Sequence, residues 1–402
     1  MRKLLIIWFL LPVVGWSQMD DTHLIIARNT GMKIMPNNDT IGTMGFALSL
    51  LDNPEVPGPL IELTEGDSVE IDLWNISQGA PHTIHLHGLD VNQQNDGVPH
   101  LSFEVHHMDH GFYKFKAPHA GTYLYHCHVI SSIHVQAGMY GMIIVHPQSG
   151  QNFTWDSGYE FDVDFPMMFS EIDTVWHTDS VMKAAHDTAA TTHTQELPIY
   201  DPQYYLVNGL ADNQIIDSNF QLNTAVGFEN YVRLVNIGFK GVRVIFPTEF
   251  DAQTISSDGR PLPAVIDSDT VEVYPGERYG VLGSMQSEGI ANIEIEYFDL
   301  NTGLNENIQF VPIVVEGFNE LVEEELNWQI SPNPFTDKFQ ISGDLENAEL
   351  SIMNLNGKLI ESVALGKMST YSYNSAGLAS GVYFVQLTSN GKREIKKVVK
   401  ID

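Results

Sequence analysis

The sequence predicts an all-β protein assembled from small sandwiches. Short runs such as SVEIDLW (68–74), FYKFKAP (112–118), GTYLYH (121–126) and GMIIVH (141–146) alternate or cluster β-branched and aromatic residues. Gly, Pro and Asn punctuate these runs at short intervals, as turns between strands require. No long amphipathic helical period interrupts them, and VMKAAHDTAA (181–190) alone suits a short helix. Many short strands with turn signals argue for sandwiches or barrels.

The chain divides in order. Residues 1–17 read as a secretory signal: Arg2 and Lys3, then an apolar run from Leu4 to Val14, then Gly15 and Ser17. That run is too short to span a bilayer as a helix, and no later run approaches that length. A first β block follows over 18–150 and a second over 160–318. A linker at 319–329 leads to a third block, 330–402. The first block holds thirteen of the sixteen histidines, and none follows His193.

Charge narrows the partners. The formal net charge is −31, with 20 basic and 51 acidic residues. Residues from 321 onward contribute only −2 (eight basic, ten acidic), so the excess sits on the two central blocks. Such a surface repels nucleic acid and anionic membranes and attracts cations. The chain has one cysteine, Cys127, so an intrachain disulfide is excluded and the cores must stabilise the fold.

That cysteine carries the chemistry. In YHCHVISSIHVQAGM (125–139) Cys127 stands between His126 and His128, with His134 and Met139 downstream. Thiolate, imidazole and thioether form a soft donor set that suits copper, above all a trigonal His₂Cys site with a long axial Met. A second cluster, PHTIHLHGLD (81–90), supplies His82, His85 and His87. Alternate residues of a strand share a face, so His85 with His87, and His126 with His128, each aim at one region, while Cys127 points the opposite way. Cys127 and its neighbours would then link two metal regions through covalent bonds. His100, His106, His107, His110 and His119 lie between the motifs without ligand spacing and read as solvated, as does the loop bearing Asp96 and Glu104.

HTIHLHG and HCHVISSIHVQAGM resemble the copper motifs of multicopper oxidases. VPGPLIELTEGDSVEIDLWN, DGVP and HAGTYLYHCH agree in the first block, as do YYLVNG, YVRLVNIG, SSDGRPL and VYPGERYGVL in the second. The resemblance covers about residues 45–315. It implies two cupredoxin-like Greek-key β-sandwich domains, the second without copper ligands. It implies type 1 copper at His82, Cys127, His134 and Met139, type 2 copper at His85, and type 3 copper at His87, His126 and His128. A reductant, phenolic or a metal ion such as Cu(I), would give electrons to type 1 copper, and the cluster would reduce dioxygen to water. The step from Cys127 to His134 is two residues longer than the usual oxidase loop, so an altered potential or substrate edge is expected.

The family's trinuclear cluster takes eight histidines from four HxH pairs, and this chain offers two pairs. His177, His186 and His193 lack that spacing. Two copies of the first domain pooling their histidines, a different protein supplying the rest, or a blue-copper or copper-binding protein without oxygen reduction are the three alternatives. A nitrite-reductase-like site fits less well: those relatives carry an acidic residue where His85 stands and draw histidines from a second domain.

The end of the chain, with SPNPF (331–335), NGKL, ASGVYFVQL and KREIKKVVK, resembles the C-terminal sorting domain read by the type IX secretion system. That implies a small β-sandwich and export through the periplasm and across the outer membrane, to the surface or the medium.

Overall fold

A computed structural model describes residues 21–184, 197–316, 328–343, 345, 348–354, 359–389 and 392–401. The expected signal, most of the linker, the second half of the expected 181–190 helix, and His186 and His193 lie outside the described residues. The chain forms two compact units, Met1–Phe318 and Asn319–Asp402. Among the described residues no helix is long and apolar enough to cross a membrane.

The first unit begins with a sandwich of two four-stranded sheets. Its strands are β1 (Asp21–Ile34), β2 (Thr40–Ala47), β3 (Ile61–Thr64), β4 (Ser68–Asn75), β5 (His85–His87), β6 (His110–Lys116), β7 (Gly121–His126) and β8 (Tyr140–His146). One sheet runs β2-β1-β4-β6 and the other β3-β8-β7-β5. In β4 the alternation is simple: Val69, Ile71 and Leu73 are fully buried while the intervening residues are only partly so. That period of two places one face on the core shared with Phe46, Tyr113 and Ile143.

In β7 and β8 every residue is buried, on both faces. Tyr123, Tyr125, Ile143 and Val145 enter the sandwich core. Leu124, Tyr140, Met142 and Ile144 instead pack against Met168, Val235 and Ile237 of a second sandwich. A sheet covered on both sides reads as a continuous apolar run, which is why GMIIVH clusters its hydrophobes.

The second sandwich comprises β9 (Val163–Ile172), β10 (Tyr204–Val207), β11 (Leu222–Ala225), β12 (Asn230–Asn236), β13 (Gly241–Ile245) and β14 (Gln253–Ser257). It continues with β15 (Arg260–Asp267), β16 (Thr270–Val273), β17 (Arg278–Gly283), β18 (Gly289–Phe298) and β19 (Asn305–Glu316). Its sheets run β10-β9-β12-β17-β14-β15 and β11-β19-β18-β13-β16. The two sandwiches therefore share one unit through an apolar layer, with a polar rivet beside it. Arg233 of β12 is 1% exposed; it pairs with Asp164 at 2.7 Å and donates to Thr122 Oγ1 of β7 at 3.0 Å.

The second unit is a smaller sandwich. One sheet holds β20 (Trp328–Ser331), β21 (Lys338–Gly343) and β24 (Thr370–Asn374). The other holds β22 (Glu349–Asn354), β23 (Leu359–Ala364), β25 (Gly381–Ser389) and β26 (Lys392–Lys400). Its SPNPF motif is fastened to the last strand: Asn333 donates to Lys397 O (2.8 Å) and accepts from Val399 N (2.9 Å), and Phe335 fills the core. The two ends of the sorting signature thus depend on each other.

Removing the partner of a buried guanidinium strands its charge. Asp164→Ala should destabilise the first unit by ~3–5 kcal/mol, read as a lower urea midpoint with unchanged slope.

Candidate copper centre

Pairing of β5 with β7 sets His85 opposite His126. The chain then leaves β7 at Cys127, whose N–H bonds to Met139 O (3.0 Å). Between them lies a short helix the sequence reading missed, α1 (Ser131–Gln136), because six residues are too few to show a period. It enters through Ile130 in the left-handed region (φ 45) and carries His134 in its last turn. Met139 N–H bonds back to His134 O at 2.9 Å, closing the loop. His82 is fixed from the other side by a two-way backbone bridge with Val105, at 3.0 Å each way. The DGVP turn packs so closely that a Cβ at Gly97 (φ +81) would strike the Ile84 carbonyl.

Cys127, His82, His134 and Met139 are all fully buried. The Nδ1 atoms of His82 and His134 stand 3.6 and 3.2 Å from Cys127 Sγ, with their rings 4.8 Å apart. Three donors on one trigonal ion, at ordinary nitrogen and sulfur bond lengths, would lie ~3.8 Å apart. The donor set therefore fits a soft transition metal with little movement. Burial pushes the Cys127 thiol up to about 11, so a metal must displace its proton. Met139 brackets the loop through its backbone and is buried with the core beside Cys127.

The second set lies on the opposite face. Donor atoms of His85, His87 and His126 fall within 4.8 Å of one another. The His128 ring lies 5.2 Å from that of His85 and 5.7 Å from that of His126. His85 Nδ1 meets the Asp96 carbonyl at 2.7 Å, and His126 Nδ1 meets the Cys127 carbonyl at 3.1 Å. A carbonyl at Nδ1 selects the Nδ1–H tautomer and leaves Nε2 as the lone-pair donor. Asp96 is thus not merely a solvated loop residue: its carboxylate also lies 3.5 Å from His85. Glu104 is exposed, as expected.

Burial depresses these histidines, His126 to about 3 and His87 to about 4, with Arg278 adding to the effect at His87. His85 is lowered too, by burial first, against the opposing pull of Asp96. All three are then neutral imidazoles at neutral pH. Arg278 arrives from β17 of the second sandwich, 4% exposed and paired with Asp258 at 2.8 Å. It leaves no room for a side chain at Gly88. Gly276 of the same turn is close enough that its Cβ would sit 3.2 Å from the His87 ring. The PGER turn therefore lines one side of the histidine set, and Asp258 of the SDGR turn is tied to it through Arg278.

The remaining histidines behave as the sequence suggested. His100, His106, His107, His110 and His119 are all exposed. His107 bonds to Ser77 O (2.9 Å), and His110 pairs with Asp72 (2.7 Å) while stacking on Trp74. His177 is committed at both nitrogens, to Gly42 O (2.7 Å) and Gln136 O (3.0 Å). Among the described residues, the metal-competent groups of His, Cys and acidic residues come only from the first sandwich.

Since His87 and His126 titrate well below the ordinary 6.5, the unfolded chain takes up protons first as pH falls. The metal-free protein should hold this stability above about pH 6.5 and lose it progressively towards about pH 3–4. His126→Gln should flatten the acid side of a plot of Tm against pH.

Comparison with known proteins agrees with this geometry. Residues 47–150 match the multicopper oxidase family, and residues 329–401 match the secretion system C-terminal sorting domain. Laccase-2 of Botryotinia fuckeliana is 26% identical over 280 residues, covering 67% of this chain and 46% of that protein. Copper resistance protein A of Pseudomonas syringae pv. tomato is 36% identical over 150 residues, 36% of this chain and 23% of that protein. The chain spans less than half the length of either relative. The crystal structure of blue copper oxidase from Nitrosomonas europaea superposes with a TM-score of 0.58 at 26% identity, covering 74% of this chain and 86% of that one. The chain carries a multicopper oxidase domain, in a cupredoxin-like fold that binds copper in its relatives, and a type IX sorting domain that marks it for export to the surface or the medium.

Proposed function

We propose that this is an exported copper oxidoreductase, with type 1 copper at His82, Cys127, His134 and Met139 and a second copper region at His85, His87, His126 and His128. The observation that carries the reading is the pair of donor sets on opposite faces of one strand end, each with three donors (His82, Cys127, His134; His85, His87, His126) within 4.8 Å of one another. Copper bound there would supply one-electron transfer at the first set and oxygen reduction at the second.

The chain's own part is positional. The Met139 and Val105 backbones hold the first set in a dry core, and the Asp96 and Cys127 carbonyls fix the tautomers of the second. Cys127 is covalently continuous with His126 and His128, so the path between the two regions is short. Among the described residues, the second sandwich contributes Arg278 and Gly276 beside His87 and no further imidazole. The other half of an oxygen-reducing cluster is therefore assigned to a second subunit, another copy of this chain presenting the same four histidines. The incomplete histidine set favours one other reading, a blue-copper carrier.

Copper loading with mass determination decides between them. About one copper per chain, a thiolate-to-copper band and no oxygen uptake would mark the carrier. About two and a half coppers per chain, in a dimer that consumes oxygen, is expected for the shared cluster. A monomer that reduces oxygen would sink the second-subunit assignment. Cys127→Ser should abolish the blue band in either case, while His85→Ala should leave the band and remove the oxygen uptake.

A further inference from the structure

The first donor set is closed where a reductant would most directly touch it. His82 and His134 are 0% exposed. Ile133, beside His134, packs under Val181 and Met182 of the short helix α2 (Asp179–Ala184). Electrons must enter by another side.

A cavity of about 660 Å³ opens between the two sandwiches, of a size that holds a small organic ligand. Its wall includes the 53–60 loop, which is pinned to the strand after Met139. Gly58 N–H bonds to Tyr140 O at 2.7 Å, Tyr125 Oη bonds to Pro59 O at 2.7 Å, and Val56 abuts Gly138 so closely that a Cβ there would collide with it. The cavity wall is thus joined by hydrogen bonds to the strand that follows Met139 and to the strand that leads into Cys127.

Its lining is apolar, from Met32, Ile34, Val56 and Met168, with Met32 and Ile34 largely exposed at the rim. Two amides at its edge are already committed: Asn208 to Met168 N and Pro166 O, and Gln214 to Ile34 O. One cation stands in the wall. Lys33 is half-buried and reaches only Val56 O, at 3.3 Å, while the acidic Glu55 on the rim is exposed. Burial lowers the Lys33 pKa, the sign of an ammonium poorly compensated by its surroundings.

We propose that this cavity is the reductant site, and that it takes a small aromatic ring bearing an anionic group, a phenolic carboxylate, with the ring on the apolar wall and the carboxylate on Lys33. The proposal rests on type 1 copper at the first donor set. In the step it implies, the phenol loses one electron and its hydroxyl proton. The proton would go to solvent, and copper held by His82, Cys127, His134 and Met139 would supply the one-electron acceptor, with the Gly58–Tyr140 hydrogen bond joining the cavity wall to the Met139 strand.

The test begins with metal-free, full-length protein, so that binding is judged apart from copper chemistry. Titration calorimetry with 4-hydroxycinnamate should give saturable binding. Lys33→Gln should weaken it ~tenfold while changing binding of the uncharged methyl ester by less than about twofold. Ile34→Trp, made at an exposed rim position, should weaken both ligands by narrowing the mouth. In copper-loaded protein the same two variants should slow bleaching of the blue band by 4-hydroxycinnamate and not by hexacyanoferrate(II). Equal binding of the acid to wild type and Lys33→Gln overturns the proposal, as does bleaching indifferent to Ile34→Trp. A concentration-dependent dimer that Ile34→Trp abolishes also overturns it, since the groove would then be an interface between copies. A blue band with no ligand binding refutes the cavity and leaves the copper assignment standing; ligand binding with no blue band does the reverse.

Discussion

Everything at this site depends on one strand being buried on both faces. β7 sends Tyr123 and Tyr125 into the first core and Leu124 into the layer shared with the second sandwich. The alternation continues past its end, so Cys127 falls on the core side and His126 on the other. A one-residue slip of register would exchange the thiolate and imidazole faces and destroy both donor sets. Pairing with β5 and β8 and the Cys127–Met139 backbone bond prevent that slip.

Burial is also the electrostatic device. Removing water raises the Cys127 thiol pKa and depresses those of His85, His87 and His126, so these four groups are uncharged before metal arrives. The proton on Cys127 is the one a metal must expel, whereas the histidines already present lone pairs. Arg278 beside His87 departs from this neutral pattern, and its own charge is offset by Asp258. Among its described residues, the second sandwich therefore shapes the environment of the histidines without offering a donor.

The covering of the first set explains why the cavity between the sandwiches matters. α2 closes the histidine side through Ile133 and Val181. The 53–60 loop, hydrogen-bonded to Tyr140 and packed on Gly138, joins the strand after Met139 to a solvent-accessible space. The sorting unit has its own core around Trp328, Phe335 and Phe339.

The sequence by itself determined the chemistry and the architecture at short range. Alternation along SVEIDLW and GTYLYH marked the strands, HTIHLH and HCHVISSIHVQAGM marked the donors, and SPNPF and KREIKKVVK marked the sorting unit, because each motif is written in residues a few positions apart. The helix bearing His134 was illegible, being shorter than the period that would reveal it. Tertiary structure alone decided that Asp96 holds His85, that Arg278 and Gly276 border His87, and that Lys33 faces a cavity beside the Met139 strand. Those pairs lie from eleven to about two hundred residues apart. Chain closure around a shared apolar layer brings them together, and no local pattern encodes that contact.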